Sequence, residues 1–252
     1  MKLEMGFPRE LEDAKQRRVP LIIPVGTIEY HGPHCALGCD TQIAVGLLDQ
    51  LEREMEAVIA PPVWYGVASY AVGGPEKNTV QVDADVFESY IACILKALLQ
   101  GGWRNICLVI HHQYEQENLL PMTLACLKAA RKLTFEYLEQ TQGRGWWGSN
   151  TYASYYAELE KADNPFQWIT VLPCMSTAAQ NVTGYDHAGK WESSLLAALY
   201  PEAVQLERLG DSDEWFIQSA AGASPEIGRV MLHAALHDLK ARIRPGLPKK
   251  EV

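Results

Sequence analysis

The sequence predicts an α/β domain built around a mainly parallel sheet, and three observations predict it. Short apolar runs without alternation, VPLIIPVG (19–26) and RNICLVI (104–110), have the character of strands covered on both faces. Helical patterns of 10–18 residues fall between such runs, as βαβ units require. No internal repeat or low-complexity linker divides the 252 residues, and 48% are hydrophobic, enough to bury a core rather than leave a disordered chain. A single domain over 1–252 is therefore expected.

Each element has its own signal. The run at 19–26 is β-branched and stops at Gly26. AVIAPP (57–62) and WITVLP (168–173) resemble it, and each stops at proline. Helices are expected over 41–56, 85–100, 118–133, 190–200 and 226–243. The second follows Asp83 and Asp85 and is closed by Gly101-Gly102, ordinary start and stop signals. The least regular stretch, 140–165, is rich in Gly, Trp and Tyr. It reads as an insertion-like segment whose aromatics line a pocket, form a subunit contact or simply pack down.

Charge excludes several functions. Twenty-two basic against 31 acidic side chains give a formal charge of −9, which disfavours nucleic acid and anionic membrane surfaces. No apolar run reaches the length of a membrane helix, and the charged N-terminus MKLEMGFPRELEDAKQRR lacks a signal peptide's apolar stretch. A soluble, cytoplasmic protein is expected. The six cysteines form no C-x-x-C pair. Cys93, Cys107 and Cys126 read as small buried hydrophobes, while Cys35 and Cys39 lie in a loop beside candidate ligands.

That loop carries the chemistry. The first strand runs into Gly26-Thr27-Ile28-Glu29-Tyr30-His31-Gly32-Pro33-His34, then Cys35-Ala36-Leu37-Gly38-Cys39-Asp40. Ligands of open α/β sheets bind beyond the carboxyl ends of the strands. Glu29 and His31 are two apart and share a face in extended backbone, and turns at Gly32, Pro33 and Gly38 can return Asp40 beside them. Two carboxylates and an imidazole suit Zn, Mn or Fe. The strand at 104–110 also ends in polar residues, His111-His112-Gln113-Tyr114-Glu115-Gln116-Glu117-Asn118, and these two loops hold four of the seven histidines. His233 and His237, four apart with no glutamate base between them, read as one face of the last helix.

Here the chain resembles the creatininase (creatinine amidohydrolase) family. PVGTIEYHGPHCALGCDT matches that family's opening motif, IHHQYEQEN falls on its third-motif loop, and VTGYDHAGKWESSLLAALYPEAV falls on its histidine-containing stretch. The resemblance implies a three-layer α/β/α fold, often hexameric, with two divalent ions (Zn, Mn or Fe) per subunit. It puts Glu29 on one metal, His31 on the other and Asp40 between them. It gives His112 to the first metal, and to the second a glutamate that is Glu117 if Asn118 keeps the family register, or Glu115 if the Tyr-Glu pair does. His187 matches the general acid/base, preceded by Asp186 where creatininase has glutamate, and Glu192 is a supporting or metal-contacting candidate. His34 and His111 read as donors or pocket walls outside the ligand set. The implied activity is hydrolysis of a small cyclic amide, formamide or lactone-like carbonyl by a metal-bridged hydroxide. Related enzymes include deformylases, peptide-trimming proteases and hydrolases of cyclic ketones.

The departures point away from creatinine itself. Ile110-His111 replaces the usual Asn-Gly, and VASYAVGGPEKNTVQVD keeps Ser69 and Thr79 but loses a Phe-Pro-Gly-Thr run. Thr183-Gly184-Tyr185 stands where creatininase has the tryptophan that sandwiches its substrate. Two alternatives stay open: metal-dependent cleavage of a carbon–carbon or ring bond of an oxidised polyol, and a non-catalytic oligomeric binding protein. Homo-oligomers are expected, with Trp146, Trp147, Tyr155 and Tyr156 as interface candidates.

Overall fold

The computed structural model describes residues 1–112, 120–157 and 164–248. Strands β1 (Leu21–Val25), β2 (Val58–Ile59), β3 (Ile106–Ile110) and β4 (Ile169–Pro173) form one parallel sheet in the order β2-β1-β3-β4. The chain leaves β1 toward one edge and returns through β3 on the other side. The topological switch therefore lies between β1 and β3, where α/β sheets open a crevice for ligands.

Side-chain alternation builds two cores. Leu21, Ile23 and Val25 join Ile106, Leu108 and Ile110 in one; Ile22, Cys107 and Val109 join the other. The first core is covered by α3 (Ala84–Gln100) and α4 (Pro121–Gln142), the second by α2 (Cys39–Glu54), α6 (Lys190–Leu199) and α7 (Pro225–Arg242). Phe87, Ile91, Leu95 and Leu99 recur every four residues and form the buried stripe of α3. Burying each such side chain contributes about 1.5–3 kcal/mol. The arrangement is the expected three-layer α/β/α fold.

Element boundaries differ from expectation for physical reasons. β2 is shorter than 57–62 because Pro61 and Pro62 have no N–H to donate, although Ala60 and Val63 still donate to the Ile22 and Pro24 carbonyls at 2.8 and 2.9 Å. α2 starts at Cys39, before the expected 41, with Gly38 as an N-cap that offers no side chain. Asp40 thus sits in the first helical turn, not in the preceding loop. α4 continues past 133 because Leu138 still packs into the core, and it stops before Gly143. Residues 118 and 119 of the expected helix lie outside the described residues. Two helices bury little: α1 (Pro8–Gln16), which buries only Ala14, and the six-residue α5 (Thr177–Val182), capped by the Ser176 hydroxyl.

Two side-chain expectations are corrected. Cys93 is exposed on α3, because the buried stripe passes through Ile91 and Leu95 on either side of it. Trp146 is buried within its own chain, between the Phe135 and Phe166 rings at 6.2 Å each, so it is not a free interface residue. Tyr156, by contrast, is 79% exposed. Among the described residues, no helix is long and apolar enough to cross a membrane.

Candidate metal centre

Register brings the two polar loops together. Val25 pairs with Ile110, and the His111 amide donates to the Val25 carbonyl at 3.1 Å, so the residues after β1 and β3 leave the sheet side by side. Gly26 allows α2 to abut this point: a Cβ there would lie 2.5 Å from Thr41 Oγ1 and 2.6 Å from Thr41 Cα. The Thr79 hydroxyl, buried on a separate loop, accepts the Tyr30 amide at 3.1 Å and pins the ligand loop from behind.

Glu29, His31, Asp40 and His112 are all buried here. His112 Nδ1 lies 3.1 Å from Asp40 Oδ2 and 3.2 Å from Glu29 Oε2, and His31 Nε2 lies 3.6 Å from the other Asp40 oxygen. Asp40 therefore has one oxygen toward each imidazole. The His31 Nδ1–H donates to the Glu29 carbonyl at 3.0 Å, which fixes the tautomer and leaves Nε2 as a ligand atom. Burial works against the charge on His112, but the Asp40 and Glu29 carboxylates outweigh it and push the imidazole up to about 10. Asp40 is held well below the usual carboxylate range: burial opposes this, and His112 and His31 overcome it.

The donor set fits a hard or borderline divalent ion. His31 Nε2 and His112 Nε2 are buried without a hydrogen-bond partner. Such orphaned atoms cost about 1–3 kcal/mol each unless something else satisfies them. Glu29, Asp40 and His112 present ligand atoms within 4.8 Å of one another, and so do Asp40, His111 and Glu192. Glu115 and Glu117, the alternatives for the remaining ligand, lie outside the described residues.

Glu192 arrives from the first turn of α6 and sits among three histidines. Its Oε1 is 3.0 Å from His111 Nε2, and its Oε2 is 3.5 Å from His31 Nε2 and 3.9 Å from His187 Nδ1. Burial raises its pKa, yet His31, His111 and His187 together bring it down to about 2. The Ala188 amide donates to it at 2.7 Å. Ala188 itself has φ +53°, a left-handed backbone costing on the order of 1–2 kcal/mol for a residue with a Cβ. The Ser193 hydroxyl holds the Ala188 carbonyl at 3.2 Å and also meets His34 Nε2 at 2.9 Å. His34 is thus a buried support beneath the loop, while His111 is both a chamber wall and a Glu192 partner.

That clamped turn aims His187. Its Nε2–H donates to the Tyr30 carbonyl at 3.1 Å, leaving Nδ1 toward Glu192, and its ring stacks 4.4 Å from that of His31. Burial and the neighbouring His31 lower its pKa below the ordinary histidine value, favouring a neutral imidazole. Asp186 packs directly against Gly189, where a Cβ would collide with its carboxylate. Asp186 accepts the Trp191 and Glu192 amides at 3.0 Å each and so caps α6. Burial pushes the Cys35 thiol up to about 11 and Cys39 well above its ordinary value, so neither is poised as a thiolate.

The cluster forms part of the wall of a chamber of about 640 Å³, bounded also by Leu120, Met175, Leu195, Met231, Trp215 and Phe216. None of Trp146, Trp147, Tyr155 and Tyr156 lines it. His233 and His237 lie apart, on the α7 face of a separate open groove. Trp215, Phe216 and Tyr185 had no periodic signal in the sequence; only the fold brings them to the mouth.

The family model for creatininase, creatinine amidohydrolase, matches residues 8–243. The chain is 23% identical over 252 residues to the creatinine amidohydrolase of Pseudomonas putida, covering 90% of each chain. It is 31% identical over 105 residues to the 3-dehydro-scyllo-inosose hydrolase of Thermotoga maritima, a match spanning 41% of this chain and 32% of that one. A crystal structure of creatinine amidohydrolase superposes with a TM-score of 0.71 at 22% identity, over 96% of both chains. Other solved creatininases of this fold are manganese and zinc forms. The chain therefore belongs to the creatininase family of hydrolases.

Proposed function

We propose that the chain is a metal-dependent hydrolase of a small cyclic amide, formamide or lactone-like carbonyl compound. The observation that carries this reading is the Glu29–Asp40–His112 and Asp40–His111–Glu192 cluster, most of whose members line the chamber. Glu29, Asp40 and His112 would hold one ion. Asp40 and His31, with Glu115 or Glu117, would hold a second. Such ions, when bound, lower the pKa of water toward neutrality and polarise a carbonyl.

The chain's own groups supply the rest. His187, neutral and with Nδ1 free, takes a proton at that atom and returns it to the leaving nitrogen or oxygen. Glu192 keeps its charge, orients His111 and His187, and stabilises the imidazolium while His187 holds the proton. The apolar chamber wall excludes water around the reacting carbonyl. Creatinine is not the proposed substrate. The Thr183-Gly184-Tyr185 turn offers no tryptophan, and a Cβ at Gly184 would collide with the Trp191 ring.

A second reading, ring or carbon–carbon cleavage of an oxidised polyol, is favoured by the similarity to the scyllo-inosose hydrolase. A metal-free binding protein is the third. We further place the protein in the cytoplasm as a homo-oligomer, a hexamer by family analogy. The test is metal analysis of protein purified without chelator, then a hydrolysis screen of cyclic amides, formamides, lactones and oxidised cyclitols. Turnover of an amide or lactone supports the first reading, exclusive turnover of cyclitols the second, and failure to retain any ion the third.

A further inference from the structure

The lining of the chamber is unevenly charged. Glu29, Asp186 and Glu192 contribute three carboxyl groups, and no Lys or Arg is among the described residues that line it. The sequence between His112 and Leu120 contains neither Lys nor Arg. Lys77, 3.3 Å from Glu214 and 4.4 Å over the Tyr30 ring, and Lys190, 4.9 Å over the Trp191 ring, are already engaged. A substrate carboxylate placed on the walls away from the metal-holding residues would lose its water without gaining a cation, an unfavourable exchange.

The remaining wall is apolar and wide. Leu120, Met175, Leu195 and Met231 line the chamber, and Trp215 and Phe216 stand at its mouth. Phe216 packs 5.4 Å from the His187 ring and 6.1 Å from Trp215, so an aromatic surface begins beside the proton-transfer candidate and continues outward. A chamber of about 640 Å³ has the size of sites that enclose drug-sized ligands, not a single small ring.

We propose that this site selects an uncharged or cationic carbonyl compound bearing a bulky apolar or aromatic group, with Phe216 and Trp215 as the side chains that recognise that group. The proposal rests on the hydrolase reading for the identity of the reacting carbonyl, but it concerns binding and is tested in binding. Apolar complementarity would draw the body of the substrate onto the Phe216–Trp215 surface while the carbonyl faces the acid–imidazole cluster. With ions bound the charge of Glu29 is offset, but on the Phe216–Trp215 surface Asp186 would tolerate a cationic substituent and no described cation would pair with an anionic one.

The experiment is calorimetric titration of metal-loaded protein with four probes: pyrrolidinone, N-benzyl pyrrolidinone, and the para-carboxy and para-aminomethyl forms of the benzyl compound. The benzyl lactam is expected to bind roughly 10–100-fold tighter than pyrrolidinone. The aminomethyl form should keep that gain and the carboxy form should lose it. Trp215→Ala, at a side chain 84% exposed and therefore safe for the fold, should weaken the benzyl lactam several-fold and leave pyrrolidinone unchanged. Phe216→Leu should weaken the benzyl lactam more strongly. Equal binding of pyrrolidinone and its benzyl form, no binding of the benzyl form, or tightest binding of the carboxylate would overturn the proposal. A ladder untouched by both variants would overturn the assignment to Trp215 and Phe216. A protein that shows the ladder but hydrolyses nothing removes the hydrolase reading alone; one that hydrolyses small lactams yet ignores the benzyl group removes this inference alone.

Discussion

The two halves of the acid–imidazole cluster are assembled differently. Glu29, Asp40 and His112 come from the ends of two adjacent strands and the first turn of the helix between them, and all three are buried. His111, His187 and Glu192 meet only because α6 returns to the same strand ends, while His31, which touches Glu192, is as buried as the first group and belongs with it; His187 remains 28% exposed. Local construction with complete burial suits a part that holds charge still. Long-range construction with access to the chamber suits a part that handles substrate and protons. Substitutions in the two halves should therefore separate metal retention from rate.

The largest separation is expected at His187. Its ring offers an atom within 4.8 Å of ligand atoms of Glu29 and His31 but lies outside the Glu29–Asp40–His112 set. As a proton carrier and not a ligand, it is dispensable for metal: His187→Ala should leave metal content unchanged while turnover of the substrate found by screening falls on the order of 10²–10⁴-fold. A variant that lost its metals instead would merge the two halves into one. Glu192→Gln is expected to act in between. It keeps the shape and one oxygen acceptor but removes the charge among His31, His111 and His187. Turnover should fall about 10–100-fold, with weakened retention of one ion and intact retention of the other. Equal loss of both ions in a titration would show that Glu192 belongs to the holding half. The smallest effect concerns the cysteines. Cys35 and Cys39 border the cluster but are buried, whereas Cys93 is exposed. A bulky thiol reagent should label one cysteine in the native protein and all six after unfolding. Rapid native labelling of Cys39 would mean that the holding half opens to solvent.

The same contrast explains what was legible from the chain alone. Glu29, His31 and Asp40 stand within twelve positions at the end of an apolar run, so a strand followed by a ligand loop could be read directly; the second run led to the His111-His112 pair, and resemblance chose His112. Glu192 and His187 were placed through resemblance, because nothing local says that α6 caps this end of the sheet. The helical position of Asp40 was missed because Gly38 is a weak start signal, and α1 because a short, mostly charged segment that buries one alanine reads as solvated chain. Trp146 was misread for a related reason: an aromatic residue between glycines carries no pattern that distinguishes packing against Phe135 and Phe166 from waiting for a partner. The Trp215–Phe216 surface had no local signature at all, since its meaning comes entirely from standing opposite the strand ends.

The measurement that tests the account most directly is the metal content of the native chain and of Asp40→Ala, both purified without chelator and analysed by plasma mass spectrometry. Asp40 presents one oxygen to His112 and the other to His31. The account predicts up to two first-row divalent ions per native chain and none in Asp40→Ala, with His31→Ala emptying mainly one position. Full retention of metal by Asp40→Ala, or a native chain that takes up neither zinc nor manganese when offered them, would contradict it.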